Sequence, residues 1–158
     1  MKKDILYWED VEVGTEIPSL SKTATSQMLV KWAAASGDFN PLHYESTFAE
    51  NQGVGKPIVH GQLKRAWLVQ MLTDWAGDEA FVKKFSCRFR AMDYPIMMKS
   101  LTEPIEERAT HFFKGKVTNK GVEDETHFVE CDIWVENDKG EKSTPGKATL
   151  ILKTKGEE

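Results

Sequence analysis

Gly61-Gln62-Leu63-Lys64-Arg65-Ala66-Trp67-Leu68-Val69-Gln70-Met71-Leu72-Thr73-Asp74-Trp75-Ala76 is the stretch from which the architecture follows. Leu63, Ala66, Trp67, Leu68, Val69, Met71, Leu72 and Trp75 leave almost no polar face. A helix that is apolar nearly all round is buried, not laid on a surface. Gly77 closes it. Other elements must cover it, and the downstream sequence reads as strands. Phe85, Cys87, Phe89 and Ala91 alternate with Lys84, Ser86, Arg88 and Arg90. His127, Val129, Cys131, Ile133 and Val135 alternate with Phe128, Glu130, Asp132, Trp134 and Glu136, and Ala148, Leu150 and Leu152 alternate with Lys147, Thr149, Ile151 and Lys153. Period two means antiparallel strands with one wet face. A further strand is expected near Phe112–Thr118, with hairpin turns at Asn119-Lys120-Gly121 and Asn137-Asp138-Lys139-Gly140. Residues 94–110 allow two readings: Met97 to Leu101 as a strand, or, with Pro104 and the acidic run Glu103–Glu107, a loop. One buried helix, four or five strands after it and one before it give an α+β domain, a curved sheet wrapped around a central helix.

Upstream, residues 4–24 read as a lead-in loop with Trp8 and a turn at Val11-Glu12-Val13-Gly14, ending in a strand near Leu20–Ala24. Thr25 or Ser26 caps a helix reaching about Ala35, whose Met28, Leu29, Trp32 and Ala33 recur at helical spacing, and Gly37 ends it. Phe39 is expected to pack inward. Thr47-Phe48-Ala49-Glu50 has the pattern of a capping box for a short helix stopping at Gly53. The chain has 158 residues, 40% hydrophobic and 29% charged, enough for one domain over 1–158 with a substantial core. Its net charge of −4 argues against nucleic acid as a partner. Cys87 and Cys131 fall at inward strand positions and read as two buried free thiols, not a disulfide. No long apolar run follows Met1-Lys2-Lys3, so neither a signal peptide nor a membrane span is expected, and a cytoplasmic protein is the default.

The chemistry-bearing residues cluster in two short segments. Ser36-Gly37-Asp38-Phe39-Asn40-Pro41-Leu42-His43 offers a carboxylate and an imidazole five residues apart across a proline-containing turn. Pro57-Ile58-Val59-His60-Gly61 opens the buried helix and offers a glycine amide at its positive end. Together they supply a base, an acid and a place for developing negative charge. Each has a plainer reading: Gly-Asp-x-Asn-Pro is also a good turn, and a lone histidine is more often a satisfied polar residue than a catalyst. Two histidines and an aspartate also invite a metal, but their spacing matches no common ligand pattern, so no metal is expected. His111 and His127 read as strand residues without a role.

Gly37-Asp38-Phe39-Asn40-Pro41-Leu42-His43, with Ala49 six residues on, resembles the signature of the MaoC-like, (R)-specific enoyl-CoA hydratases, and Ile58-Val59-His60-Gly61 resembles that family's second block. The resemblance runs through residues 5–92 and returns in the last two strands. It implies the hot-dog fold. It also implies hydration of trans-2-enoyl thioesters to (3R)-3-hydroxyacyl thioesters, or the reverse dehydration, with no cofactor beyond the coenzyme A thioester that is itself the substrate. By resemblance Asp38 and His43 share the water and the proton, and Gly61 donates its amide to the thioester oxygen. Asn40, Ser36 and His60 are expected around them, His60 equally as a plain helix-start residue. A homodimer or higher homo-oligomer is implied, with a heteromer as the alternative arrangement. An acyl-CoA thioesterase on the same fold is the competing enzyme; such enzymes commonly place a carboxylate in the central helix, where this chain has only Asp74, at the far end. The sequence departs from the family in lacking the compact Gly-Asp turn after the third strand. Lys64 and Arg65 oppose the helix dipole, so one of them, or Arg88 or Arg90, is expected near the phosphates of the ligand. Trp134, on an outward strand face, is read as exposed and as marking an interface.

Overall fold

The computed structural model describes residues 5–100, 102, 104 and 108–156. Five strands form one antiparallel sheet: β1 (Glu16–Lys22), β2 (Phe81–Cys87), β3 (His111–Glu123), β4 (Thr126–Asn137) and β5 (Lys142–Ile151), in the order β1-β3-β4-β5-β2. Three helices, α1 (Ser26–Ser36), α2 (Ser46–Asn51) and α3 (Gly61–Ala76), lie between β1 and β2. α3 packs along the inner face of β1, β3 and β4. Leu63, Trp67, Leu68, Met71, Leu72 and Ala76 are all buried there, each large apolar side chain contributing about 1.5–3 kcal/mol relative to exposure. They meet Phe113 and Val117 of β3, Val129, Ile133 and Val135 of β4 and Leu150 of β5, the inward members of the period-two pattern. The single buried helix wrapped by an antiparallel sheet is the arrangement the alternation predicts.

The local stops follow from side chains. Thr25 accepts from the Met28 N–H at 3.1 Å and caps α1, and Gly37 ends it at φ 76°, a left-handed conformation that favours glycine. Several details differ from the sequence reading. α2 is capped by the Glu45 carboxylate, which accepts from the Thr47 and Phe48 amides, and not by a box built on Thr47. Asn119-Lys120-Gly121 is not a turn. β3 runs on to Glu123, pairing residue by residue with β4, and the hairpin turns at Asp124 and Glu125, both at positive φ. Asn137–Gly140 does form the next hairpin turn. β2 ends at Cys87, so Phe89 and Ala91 lie past it, and the strand before α1 begins earlier than read, at Glu16. Phe39 points outward, 58% exposed. Trp134 is half-buried, with Lys142 Nζ 4.2 Å over its ring and its Nε1 donating to Glu136. Residues 94–100 form no strand; Ile96 bridges Thr25, and the Met98 amide donates to Ser26 Oγ, tying this segment to the start of α1. Leu101, Glu103 and residues 105–107 lie outside the described residues. Cys87 is half-buried and Cys131 buried, and both are free thiols. No helix among the described residues is long and apolar enough to cross a membrane.

Candidate active site

The turn after α1 is held by its own polar side chains. Ser36 Oγ donates to the Trp32 carbonyl at 2.7 Å and accepts from the Asp38 amide at 3.3 Å. Asp38 Oδ1 accepts from the Asn40 amide at 3.4 Å, and Asn40 Oδ1 from the Leu42 amide at 3.1 Å, capping the short 3-10 turn Pro41–His43. Ser36 and Asn40 therefore shape the loop and leave the reacting groups to Asp38 and His43. The turn brings His43 beside the chain that leads into α3. Its Nδ1 lies 2.8 Å from the Ile58 carbonyl. A carbonyl only accepts, so Nδ1 carries a proton, and in the neutral ring the lone pair is on Nε2.

His60, fully buried, stacks on His43 with ring centroids 3.7 Å apart and planes at 22°. Its Nε2 donates to the Asp38 carbonyl at 3.3 Å, while Nδ1 is buried without a hydrogen-bond partner. Burial, then the neighbouring His43, pushes the His60 pKa below its ordinary value against the smaller pull of Asp38. A neutral His60 thus backs the His43 ring and fixes the Asp38 backbone from the same side. Asp38, His43 and His60 bring one carboxylate oxygen and two ring nitrogens within 4.8 Å of one another. This donor set suits a divalent cation in kind. In geometry it does not, because a cation in the plane of one ring would stand well out of the plane of the other stacked ring.

Gly61 begins α3, so its N–H is one of the first-turn donors that the helix itself leaves unpaired. A groove of about 530 Å³ opens here, lined by His43, Gly61, Lys64, Phe89, Arg90 and Tyr94 among others. Asp38 is not among the residues that line it, but its carboxylate lies within 4.8 Å of a ring nitrogen of His43 and of His60, close enough to share a water held at the groove's edge. The Phe89 ring lies so close over Gly61 that an added Cβ would stand 2.7 Å from it.

Two side chains, Lys64 and His111, differ from expectation. Lys64 is not a surface cation: it is 2% exposed and donates to Asp93 Oδ2 at 2.7 Å. Asp93, itself buried, also accepts from Asn137 Nδ2, and His111 Nε2 lies 3.7 Å from it. His111 is therefore part of a buried polar cluster and not a plain strand residue. Sequence reasoning missed Asp93 and the cluster; the lone signal was a cation in the first turn of an otherwise apolar helix. Arg65 stays exposed at 5.7 Å from the Phe85 ring, and Arg88 and Arg90 are exposed beyond β2.

A family model described as MaoC like domain matches residues 11–123. A 3-hydroxybutyryl-CoA dehydratase of Methylorubrum extorquens is 45% identical over 58 residues, covering 36% of this chain and 36% of that protein. An (R)-specific enoyl-CoA hydratase of Aeromonas caviae is 42% identical over 55 residues, covering 35% of this chain and 40% of that protein. The matched part of the chain thus spans well under half the length of these relatives. The solved structure of an R-hydratase from Pseudomonas aeruginosa superposes with a TM-score of 0.80 at 18% identity, over 98% of this chain and 90% of that one, a likeness of fold alone.

Proposed function

From the premise that this chain belongs to the MaoC-like domain family, we propose that it is a hydro-lyase acting on a trans-2-enoyl thioester of coenzyme A. It adds water to give a (3R)-3-hydroxyacyl thioester, or runs the reverse dehydration. The observation that carries the reading is the convergence of Asp38, His43 and the Gly61 helix start, through residues 15 and 22 apart in sequence that hydrogen-bond across the gap. The names of the two relatives support the reaction class, and that of the second supports the R configuration.

Hydration forms a C3–O bond and a C2–H bond and breaks one O–H bond of water, with the C2–C3 double bond supplying the electrons. The Nε2 lone pair of His43 and the Asp38 carboxylate accept the hydrogens of the attacking water. As oxygen bonds to C3, charge moves through C2 to the thioester oxygen, where the Gly61 N–H and the α3 dipole meet it. The proton taken from water is returned to C2 by the same Asp38–His43 pair, so atoms and charge balance. No net oxidation occurs, and neither a metal nor an organic cofactor is needed. A positioned proton-transfer group is worth ~10²–10⁴-fold in rate, and an oxyanion donor about 10²–10³-fold.

The active form is a homodimer or larger homo-oligomer, favoured by the unpaired β2 edge with Phe81 67% exposed. The free thiols fit the reducing cytoplasm. The reading is tested by loss of enoyl-thioester absorbance with crotonyl-CoA and longer trans-2-enoyl-CoAs, wild type beside Asp38→Asn. The wild type is expected to consume substrate and yield the (3R)-alcohol, and Asp38→Asn to be slower by about 10²-fold or more. Release of free thiol instead would identify a thioesterase.

A further inference from the structure

Lys64 is an expensive residue where it stands. It occupies the first turn of α3, where a cation opposes the helix dipole, and it is 2% exposed among Leu63, Trp67 and Leu68. Burying an ion pair commonly stabilises a protein less than apolar residues of similar volume would. Its partner Asp93 is equally buried. Stability alone does not account for the pair.

The pair has a direction. The groove that holds His43 and Gly61 is lined by Lys64 but not by Asp93. A second cavity, of about 330 Å³, is lined by Asp93, Thr110, His111 and Asn137 but not by Lys64. Lys64 Nζ also donates to the carbonyl of groove-lining Ala91 at 3.4 Å and lies 5.8 Å from the groove-lining Phe89 ring, so the ion pair runs from the groove side, where the ammonium sits, to Asp93 on the second cavity. Asp93 also reaches the site through its backbone. Its carbonyl accepts from the Val59 amide at 2.8 Å, and Val59 joins Ile58, whose carbonyl orients His43, to His60 and Gly61.

We infer that Lys64 and Asp93 form an oriented buried dipole that raises the positive potential at the Gly61 end of the groove and stabilises the negative charge growing on the thioester oxygen. The inference rests on the hydratase reading for the identity of that charge. Both are positioning residues: neither transfers a proton, and Asp93 acts through Lys64 and Val59. Fixed charge aimed at developing charge in a water-poor site acts on the transition state more than on the substrate.

Lys64→Met/Asp93→Asn removes both charges while keeping similar shapes, so neither partner is left as an unpaired buried ion. The double variant is expected to melt cooperatively and to keep the KM for crotonyl-CoA within about twofold. Its kcat is expected to fall by about 10–100-fold. Lys64→Arg, which keeps the sign of the charge, is expected to retain most of the wild-type kcat. The reading that a merely structural role would not move is the ionisation of bound acetoacetyl-CoA, followed by its enolate absorbance as pH is raised. In the wild type it is expected to ionise at lower pH than the free thioester, and in the double variant about one to two pH units higher than in the wild type. A folded double variant with wild-type kcat and unchanged enolate ionisation overturns the inference. So does a wild type that leaves the bound thioester ionising as it does in solution, a result independent of whether any variant folds. A wild type that lowers the ionisation of acetoacetyl-CoA but hydrates no enoyl-CoA would defeat the hydratase reading and leave the dipole standing.

Discussion

At Gly61 helix propensity and chemistry pull in opposite directions. Alanine would favour the helix by about 1 kcal/mol, yet a Cβ there would meet the Phe89 ring at 2.7 Å. Phe89 is 47% exposed, so its ring can swing outward at small cost. Gly61→Ala should therefore fold, with a melting temperature within a few degrees of wild type, while its methyl occupies the approach to the Gly61 N–H. Turnover of crotonyl-CoA is expected to drop by about 10²-fold and to stay low in Gly61→Ala/Phe89→Ala, where the ring clash is gone. Recovery in the double variant would make the ring, and not the approach to the amide, the reason for glycine. That Asp38, His43 and the start of α3 come together could be expected from two motif segments, although the hydrogen bonds that join them span 15 and 22 residues. The pairing of Lys64 could not, since its carboxylate partner lies 29 residues away on an irregular segment with no periodicity to place it. Phe39 failed for a related reason: a turn residue has no face until the turn is built, and this one points to solvent.

Element by element, legibility tracked burial. α3 and the inner faces of β3, β4 and β5 follow from apolar spacing because the core fixes both period and direction. Turn chemistry was a weaker guide. Asn119-Lys120-Gly121 has hairpin composition, but the ladder between β3 and β4 carries on through it and prevails, leaving Asp124 and Glu125 to take the positive φ. The two sheet edges differ in a way only the assembled sheet reveals. Both edges carry a register shift, between Ile17 and Leu20 in β1 and between Val82 and Lys84 in β2, but β1 also carries Pro18, which discourages further pairing. β2 has no proline and presents Phe81, 67% exposed, and half-buried Val82 and Phe85. The proposed homodimer is therefore expected to join β2 to β2 about a two-fold axis. Phe81→Glu would then place a carboxylate at each end of the joined strands, where an apolar ring is buried by the partner in the wild type. Sedimentation should show twice the mass of the 17.9 kDa chain for the wild type and a shift toward monomer for the variant. A wild type that sediments as a monomer would remove this assembly.

For the molecule as a whole, two buried histidines set the response of stability to pH. Burial, and then the nearby His43, lowers the pKa of His60, with Asp38 opposing. Burial also lowers that of His111, with Asp93 and Asp138 opposing and Lys64 assisting. In the unfolded chain both take up a proton near their ordinary value of about 6.5; in the folded protein they do so only at lower pH. Below about pH 6.5 the unfolded state therefore binds more protons, and stability falls as pH falls. Above that value the contribution is constant. Each such histidine can cost up to about 1.4 kcal/mol per pH unit across its window. The carboxylates do not share this range. Glu136 is held below its ordinary value by the Lys114 and Trp134 hydrogen bonds, and Asp138 by Arg108, so their contributions are lost only below about pH 4. Cys131, pushed up to about 12 by burial, stays a thiol throughout. Overall charge works the other way: every proton taken up reduces the formal −4 and relieves self-repulsion. A melting temperature that falls between pH 7.5 and 5 would thus be the mark of the two buried imidazoles. His111→Gln, which can still bond the Thr110 hydroxyl, is expected to flatten that slope; an unaltered slope would leave His60 as its source, and a flat wild-type profile would mean that neither ring is held neutral by the fold.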